Sequence, residues 1–234
     1  VIYQYEFDGI WQEGDDFANA PQVNPDSALT QDNLRPGDIR IRDTNGVDEE
    51  GNETGIPDGK ITQEDRVFTD PNPDWFGSLS TTIAYKGFDL FVDFYAVEGA
   101  TKVNPFLSSS FDNGGTLQGR SNAVRVDYYT PENPSTTFPR PNFDSPPDYI
   151  NALAVKDASY IRLRTVSLGY TFPESLTSKL KMEQLRLYVT GSNLFTDTDY
   201  IGYSPEVNIR NVGSNADTGY PDATSFTFGV RVNF

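Results

Sequence analysis

Six segments of this chain alternate apolar and polar residues with a period of two, and the connections between them alternate between short and long. Period two marks a β-strand that shows different chemistry on its two faces. Val1, Tyr3, Tyr5 and Phe7 share one face of the first segment, with Gln4, Glu6 and Asp8 opposite. The second sets Leu79, Thr81, Ile83 and Tyr85 against Ser78, Ser80, Thr82 and Ala84. In the third, Phe88, Leu90, Val92, Phe94 and Ala96 oppose Asp89, Phe91, Asp93 and Tyr95. The fourth carries Val166, Leu168, Tyr170 and Phe172 on one parity, but Arg162 and Arg164 fall on the same parity. That conflict predicts a bulge, or a strand that rises above any membrane. The fifth places Leu185, Leu187 and Val189 against Arg186, Tyr188 and Thr190. The sixth closes the chain with Phe226, Phe228, Val230, Val232 and Phe234 on one face. Strands are therefore expected near 1–9, 77–86, 88–99, 159–172, 183–193 and 224–234.

Lys86-Gly87 joins the second and third segments, and PESLTSKLKMEQ joins the fourth and fifth. The other three gaps, 10–76, 101–158 and 194–223, are long and rich in Asp, Asn, Gly, Pro, Ser and Thr, so they read as loops. Loops of that length are uncommon in a compact soluble domain. Strict alternation of short and long connections predicts an all-β, antiparallel up-and-down sheet with its short turns at one end. Outer-membrane barrels follow that plan, with short periplasmic turns and long extracellular loops. By this parity both the first and the last segment meet the short-turn, periplasmic side. Six strands are too few to close a barrel, for which about eight is the bacterial minimum. Open edges in hydrocarbon leave backbone groups unpaired, so the chain is expected to be a piece of something larger. A β-sandwich with one wet face fits the alternation equally well; the order of connections and the terminal Phe234 favour the barrel.

Composition narrows the function. There are 18 basic and 34 acidic residues, a net charge of −16, which makes nucleic acid a poor partner. The chain has no cysteine and no histidine, so Ser-His-Asp and Cys-His catalysis and thiolate metal sites are excluded. Asp89 and Asp93 share a face, but four residues of strand separate them by about 13 Å, too far for a glycosidase acid pair. They are expected to meet basic residues such as Arg186 or Arg231. No enzyme is indicated. No apolar run of about 18 residues offers a transmembrane helix, and no signal peptide is evident.

Five ordered blocks carry a resemblance: GDIRIRDTNG…DGKITQEDR, DPNPDWFGSLSTTIAYKGFDLFVDF, DASYIRLRTVSLGYTFP, LRLYVTGSNLFTDTDYIGYSPEV and YPDATSFTFGVRVNF. With the opening YEFDGIWQ, they resemble the C-terminal part of the SusC/RagA family of TonB-dependent outer-membrane transporters of Bacteroidota. The match spans nearly the whole chain, broken mainly at about 47–57 and 101–147. The resemblance implies a barrel of about 22 strands around a plug and a SusD-like surface lipoprotein as partner. It also implies import of oligosaccharides or oligopeptides driven through TonB. The plug domain, the TonB-contacting segment and the N-terminal strands are expected to lie outside this chain, which would supply barrel wall and extracellular loops. A secreted, calcium-stabilised glycan-binding β-sandwich module is the alternative.

One motif points to a metal. With residues 47–57 removed, Asp43 to Asp65 reads D-T-N-G-D-G-K-I-T-Q-E-D. That is an EF-hand-like Ca²⁺ loop, with oxygen ligands expected from Asp43, Asn45, Asp58, Thr62 and Asp65 and the backbone carbonyl of Lys60. Asp65 stands where Glu is usual, and the insertion falls between the second and third of these ligands. An acidic turn whose Asp and Asn side chains bond their own backbone is the alternative. Trp11, Trp75 and Phe76 lie near loop-side strand ends, where aromatic residues form a girdle at the lipid boundary or stack on a sugar ring. The Pro- and Tyr-rich stretch from Val126 through TTFPRPNFDSPPD is expected to pack as an ordered loop facing the lid protein or the ligand.

Overall fold

A computed structural model describes residues 1–23, 34–104, 107, 126–141, 148–202, 204–206 and 223–234. In chain order the strands begin with β1 (Ile2–Tyr5), β2 (Phe7–Ile10), β3 (Gln22–Val23), β4 (Ile39–Ile41), β5 (Lys60–Ile61) and β6 (Arg66–Thr69). They continue with β7 (Trp75–Tyr85), β8 (Phe88–Glu98), β9 (Thr101–Val103), β10 (Val155–Asp157), β11 (Tyr160–Thr171), β12 (Gln184–Asp197) and β13 (Ser225–Asn233). Among the described residues are two α-helices of four residues each, α1 (Ile150–Leu153) and α2 (Glu174–Thr177). No helix among the described residues is long and apolar enough to cross a membrane. The chain divides into two units.

The wall unit is one antiparallel sheet in the order β13-β12-β11-β8-β7, so each strand pairs with the next strand of this sheet along the chain. β7 and β8 meet at a two-residue turn with Lys86 at φ 47° and Gly87 at φ 86°. Two positive φ values make the primed turn that matches strand twist, and a Cβ on Gly87 would lie 2.7 Å from the Thr171 carbonyl oxygen. At the same end β11 passes to β12 through α2 and a 3₁₀ turn (Ser178–Leu180). The long connections leave from the opposite end, where Trp75 faces Glu98 and Tyr160 faces Val97.

Register converts the sequence pattern into continuous rows across five strands. Ile83, Leu90, Leu168, Val189 and Phe228 form one row; Thr81, Val92, Val166, Gly191 and Phe226 form the next. Among the described residues nothing of this unit covers that face: Phe228 is 79% exposed and Leu79 73%. The eleven residues of β7, at about 3.3 Å each and a tilt of about 40°, give a band about 25 Å tall. The predicted bulge is present. Pairing of β11 shifts between Leu163 and Thr165, leaving Arg164 as the extra residue. The bulge returns Leu163 to the apolar row beside Phe94 and Phe195, and sets Arg162 opposite Tyr95.

The second unit contains residues 1–71 and 101–157. Its strands are short: β1 pairs with β6, β2 with β4, β9 with β10, all antiparallel, and β3 with β5 in parallel. Apolar side chains of these strands and of α1 converge on a core that includes Ile10, Ile39, Ile41, Ile61, Ile150 and Leu153. Each such side chain contributes about 1.5–3 kcal/mol when fully buried. Two expectations are thereby corrected. The first segment, 1–9, is not a wall strand: it breaks at Glu6, and its pairing with β4 shifts between Phe7 and Gly9, where φ is +131°. Tyr5 is buried edge-on to Tyr149 and 5.0 Å from the Arg66 guanidinium, and Phe7 packs against the same core, while Val1 and Tyr3 stay exposed. The stretches 10–76 and 101–158, read as loops, contain this folded unit.

Candidate functional site

β4 leads into the acidic loop and β5 lies within it, and Ile41 and Ile61 are both buried in the core. The eleven-residue insertion does not splay it. Residues 47–57 close on themselves: the Thr54 N–H donates to the Gly46 carbonyl at 2.8 Å and the Gly55 N–H to Asn45 Oδ1 at 2.6 Å. Gly46 abuts Asp58 so closely that a Cβ there would lie 2.6 Å from the Asp58 Cβ. Space therefore restores the neighbourhood that the insertion interrupts in sequence. Gly59, at φ +81°, makes the sharp turn and donates its N–H to Asp43 Oδ2 at 2.7 Å. The Lys60 N–H donates to Asp58 Oδ1 at 2.9 Å.

The expected ligands divide into two groups. Asp65, 0% exposed, accepts the Thr44 and Asn45 N–H groups on Oδ1 at 2.8 and 3.1 Å. Its Oδ2 accepts the Thr62 N–H at 2.7 Å, in a capping box over the 3₁₀ turn Gln63–Asp65. Asp65, Thr62 and Asn45 thus fasten the loop to itself. Among the described residues no three Asp, Glu, His or Cys side chains form a metal-holding group. What remains is Asp43 Oδ1, a buried oxygen without a hydrogen-bond partner. Burial raises the Asp43 pKa and the Asp65 and Asp58 carboxylates add to it, while the Gly59 amide opposes. A buried anionic oxygen with that surplus of negative charge accommodates either a proton or a hard cation.

On the polar face of the wall, Asp89 takes a two-point ion pair from Arg186, with Nε to Oδ1 at 3.1 Å. The pair crosses β11 over Gly169, where a Cβ would lie 2.3 Å from Arg186 Nη2. Asp93, by contrast, makes no ion pair among the described residues. At the loop end, Arg162 donates to Glu206 Oε2 at 2.6 Å and to Thr196 Oγ1 at 2.9 Å. The Tyr160 hydroxyl donates to the other Glu206 oxygen. Sequence reading missed Glu206, because it lies in a long polar connection; its only signal was two arginines at odds with the strand parity.

The aromatic candidates separate. Trp75 is exposed at the loop end of β7 on the parity of the apolar band, and Phe76 is exposed on the other parity. Trp11 is no girdle residue: it is buried in the core unit, 5.3 Å from the Phe17 ring and 5.3 Å from the Arg40 guanidinium. In the Pro- and Tyr-rich stretch, Val126, Asp127, Tyr128, Thr130 and Asn133 line a cavity of about 580 Å³. Residues 142–147 of that stretch lie outside the described residues.

A meander of membrane-length strands, apolar and uncovered on one side and polar on the other, is a section of an outer-membrane β-barrel wall. Comparison with known proteins gives the family. The chain is 33% identical over 242 residues to TonB-dependent receptor P3 of Formosa agariphila, covering the whole chain and 22% of that receptor. It is 26% identical over 202 residues to TonB-dependent receptor SusC of Bacteroides thetaiotaomicron, covering 80% of the chain and 17% of that receptor. The fold matches the solved RagAB peptide transporter with a TM-score of 0.65 at 24% identity, over 100% of this chain and 23% of that one. No protein-family model matches. The chain belongs to the SusC/RagA family of TonB-dependent receptors and spans about a fifth of the length of the curated relatives it matches. These relatives carry the names of receptors and a transporter, not of enzymes.

Proposed function

We propose that this chain is the C-terminal wall and loop portion of an outer-membrane importer driven through TonB. The importer takes oligosaccharides or oligopeptides and works with a SusD-like surface lipoprotein. The observation that carries this reading is the uncovered apolar band running from β7 to β13. Such a face requires hydrocarbon on one side, and the ion-paired face opposite it suits an aqueous lumen. With the Lys86-Gly87 turn and the α2 connection at the periplasmic end, the long connections are extracellular and the chain finishes in the periplasm. We infer further that the 43–65 loop takes Ca²⁺ at Asp43 Oδ1, with Asp58 beside it, and that the ion stiffens the loop. In this reading Asp65, Thr62 and Asn45 hold the loop shape.

The test is uptake by cells that carry or lack the full receptor, each with and without functional TonB. Saturable accumulation of a labelled glycan or peptide pool that needs both supports import. Accumulation independent of the receptor removes the proposal.

A further inference from the structure

The bulge in β11 brings two arginines to the polar face, and they are used differently. Arg162, its side chain 4% exposed, is spent on Glu206, Thr196 and Ser204. Glu206 is spent in turn, since it accepts from both Arg162 and the Tyr160 hydroxyl. Arg164 is engaged only loosely. Its Nη2 makes a long ion pair with Glu206 Oε1 at 3.8 Å, beyond hydrogen-bond reach. Its side chain is 41% exposed, and among the described residues it makes no hydrogen bond. Yet it is held in place: its guanidinium lies 3.8 Å from the centre of the Tyr95 ring. A guanidinium stacked on an aromatic face keeps its fork of N–H donors while its rotamer freedom is already reduced. A planar carboxylate docking on it therefore loses little further ordering entropy.

We propose that Arg164, on its Tyr95 platform, is a carboxylate-binding subsite on the polar face of the wall. It receives a carboxylate of the imported substrate through a two-point hydrogen-bonded pair. Arg162 and Glu206 are positioning residues: Arg162 ties Ser204 and Glu206 to the strand, and with the Tyr160 hydroxyl it takes the hydrogen bonds of the nearest internal carboxylate, so Arg164 keeps its own donors free for a ligand. The chain carries a net charge of −16, which repels polyanions, so the fitting ligand is a largely neutral oligomer with a single acid group. This inference rests on the import reading above. A peptide C-terminus and a terminal uronic acid present the same chemistry, and the experiment separates them.

The full receptor in detergent is titrated calorimetrically with two matched pairs. One is a neutral pentapeptide with a free C-terminus and its C-terminal amide; the other is a neutral oligosaccharide ending in one uronic acid and its methyl ester. The acid member of one pair is expected to bind about tenfold tighter than its neutralised counterpart, as a charge-assisted hydrogen-bonded pair gives. Arg164→Gln should erase that ratio and leave the neutral ligand unchanged, whereas Arg164→Lys should retain part of it. A merely structural Arg164 would weaken both members of a pair equally. No acid preference in either pair, or an undiminished preference in Arg164→Gln, overturns the subsite. Import is scored separately by TonB-dependent uptake of the neutralised ligands, so uptake without acid preference removes the subsite alone.

Discussion

The two units treat the same apolar residue types in opposite ways. In the core unit Ile39, Ile61 and Leu153 turn inward and are nearly inaccessible; in the wall Leu79, Ile83 and Phe228 turn outward and are largely exposed. Strand length decides which happens. The core-unit strands have two to four residues and make two-stranded sheets whose inward side chains meet in one core. The wall strands have nine to fourteen, and their single sheet has no second layer among the described residues. Backbone hydrogen bonding holds the wall laterally, while its greasy face depends on the surrounding solvent being lipid.

Substitutions that break this contrast should rank by how much environment they disturb. Leu153→Ala in the full receptor opens a cavity in the core unit and should cost about 2–5 kcal/mol there. Hydrogen exchange would show faster opening in residues 1–71 and 148–157 with the wall strands unchanged. Val92→Arg, near mid-height of the apolar band, should cost about 2–4 kcal/mol when unfolding is measured in liposomes. Thr82→Arg, on the opposite face of β7, should stay within about 0.5 kcal/mol. Equal losses from the two arginines would erase the distinction between the faces. Gly169→Ala drives a Cβ into the Asp89–Arg186 pair and should cost about 1–3 kcal/mol; an Asp89→Asn background should recover part of that loss.

The smallest effect concerns Asp43. Its pKa is raised in the folded loop, so the folded state holds that proton more tightly than the unfolded chain. Its contribution is therefore fully favourable below the ordinary carboxylate pKa and is lost as pH rises from about 4 through the raised value. Without divalent ions the wild type should lose more loop stability over that rise than Asp43→Asn. Saturating Ca²⁺ should flatten the difference in a thermal melt followed by limited proteolysis of the loop. An identical pH response in wild type and variant, with and without Ca²⁺, would remove the cation.

Much of the wall was legible because its code is local. Alternation over nine or more residues names the strands, and the parity conflict at Arg162 and Arg164 narrows that stretch to a bulge or a strand rising above the membrane, of which the register shows the bulge. The first segment shows the limit of that code. Val1 to Phe7 alternates as cleanly as a wall strand, yet Gly9 and the partners β4 and β6 turn it into the core unit. In the acidic loop the residue types were readable, but their division of labour was not. Asp65 and Asp43 look alike in sequence; only the path of the backbone gives one three amide donors and leaves the other a bare oxygen.

By itself the sequence determined which faces of the long strands are apolar and where the short turns fall, because side-chain direction in a strand repeats every two residues. Tertiary structure alone decided which short strands gather into a core, that Gly46 meets Asp58 across an eleven-residue insertion, and that Glu206 returns to Arg162. Those contacts join positions far apart in the chain, and no local period encodes which distant groups will satisfy one another.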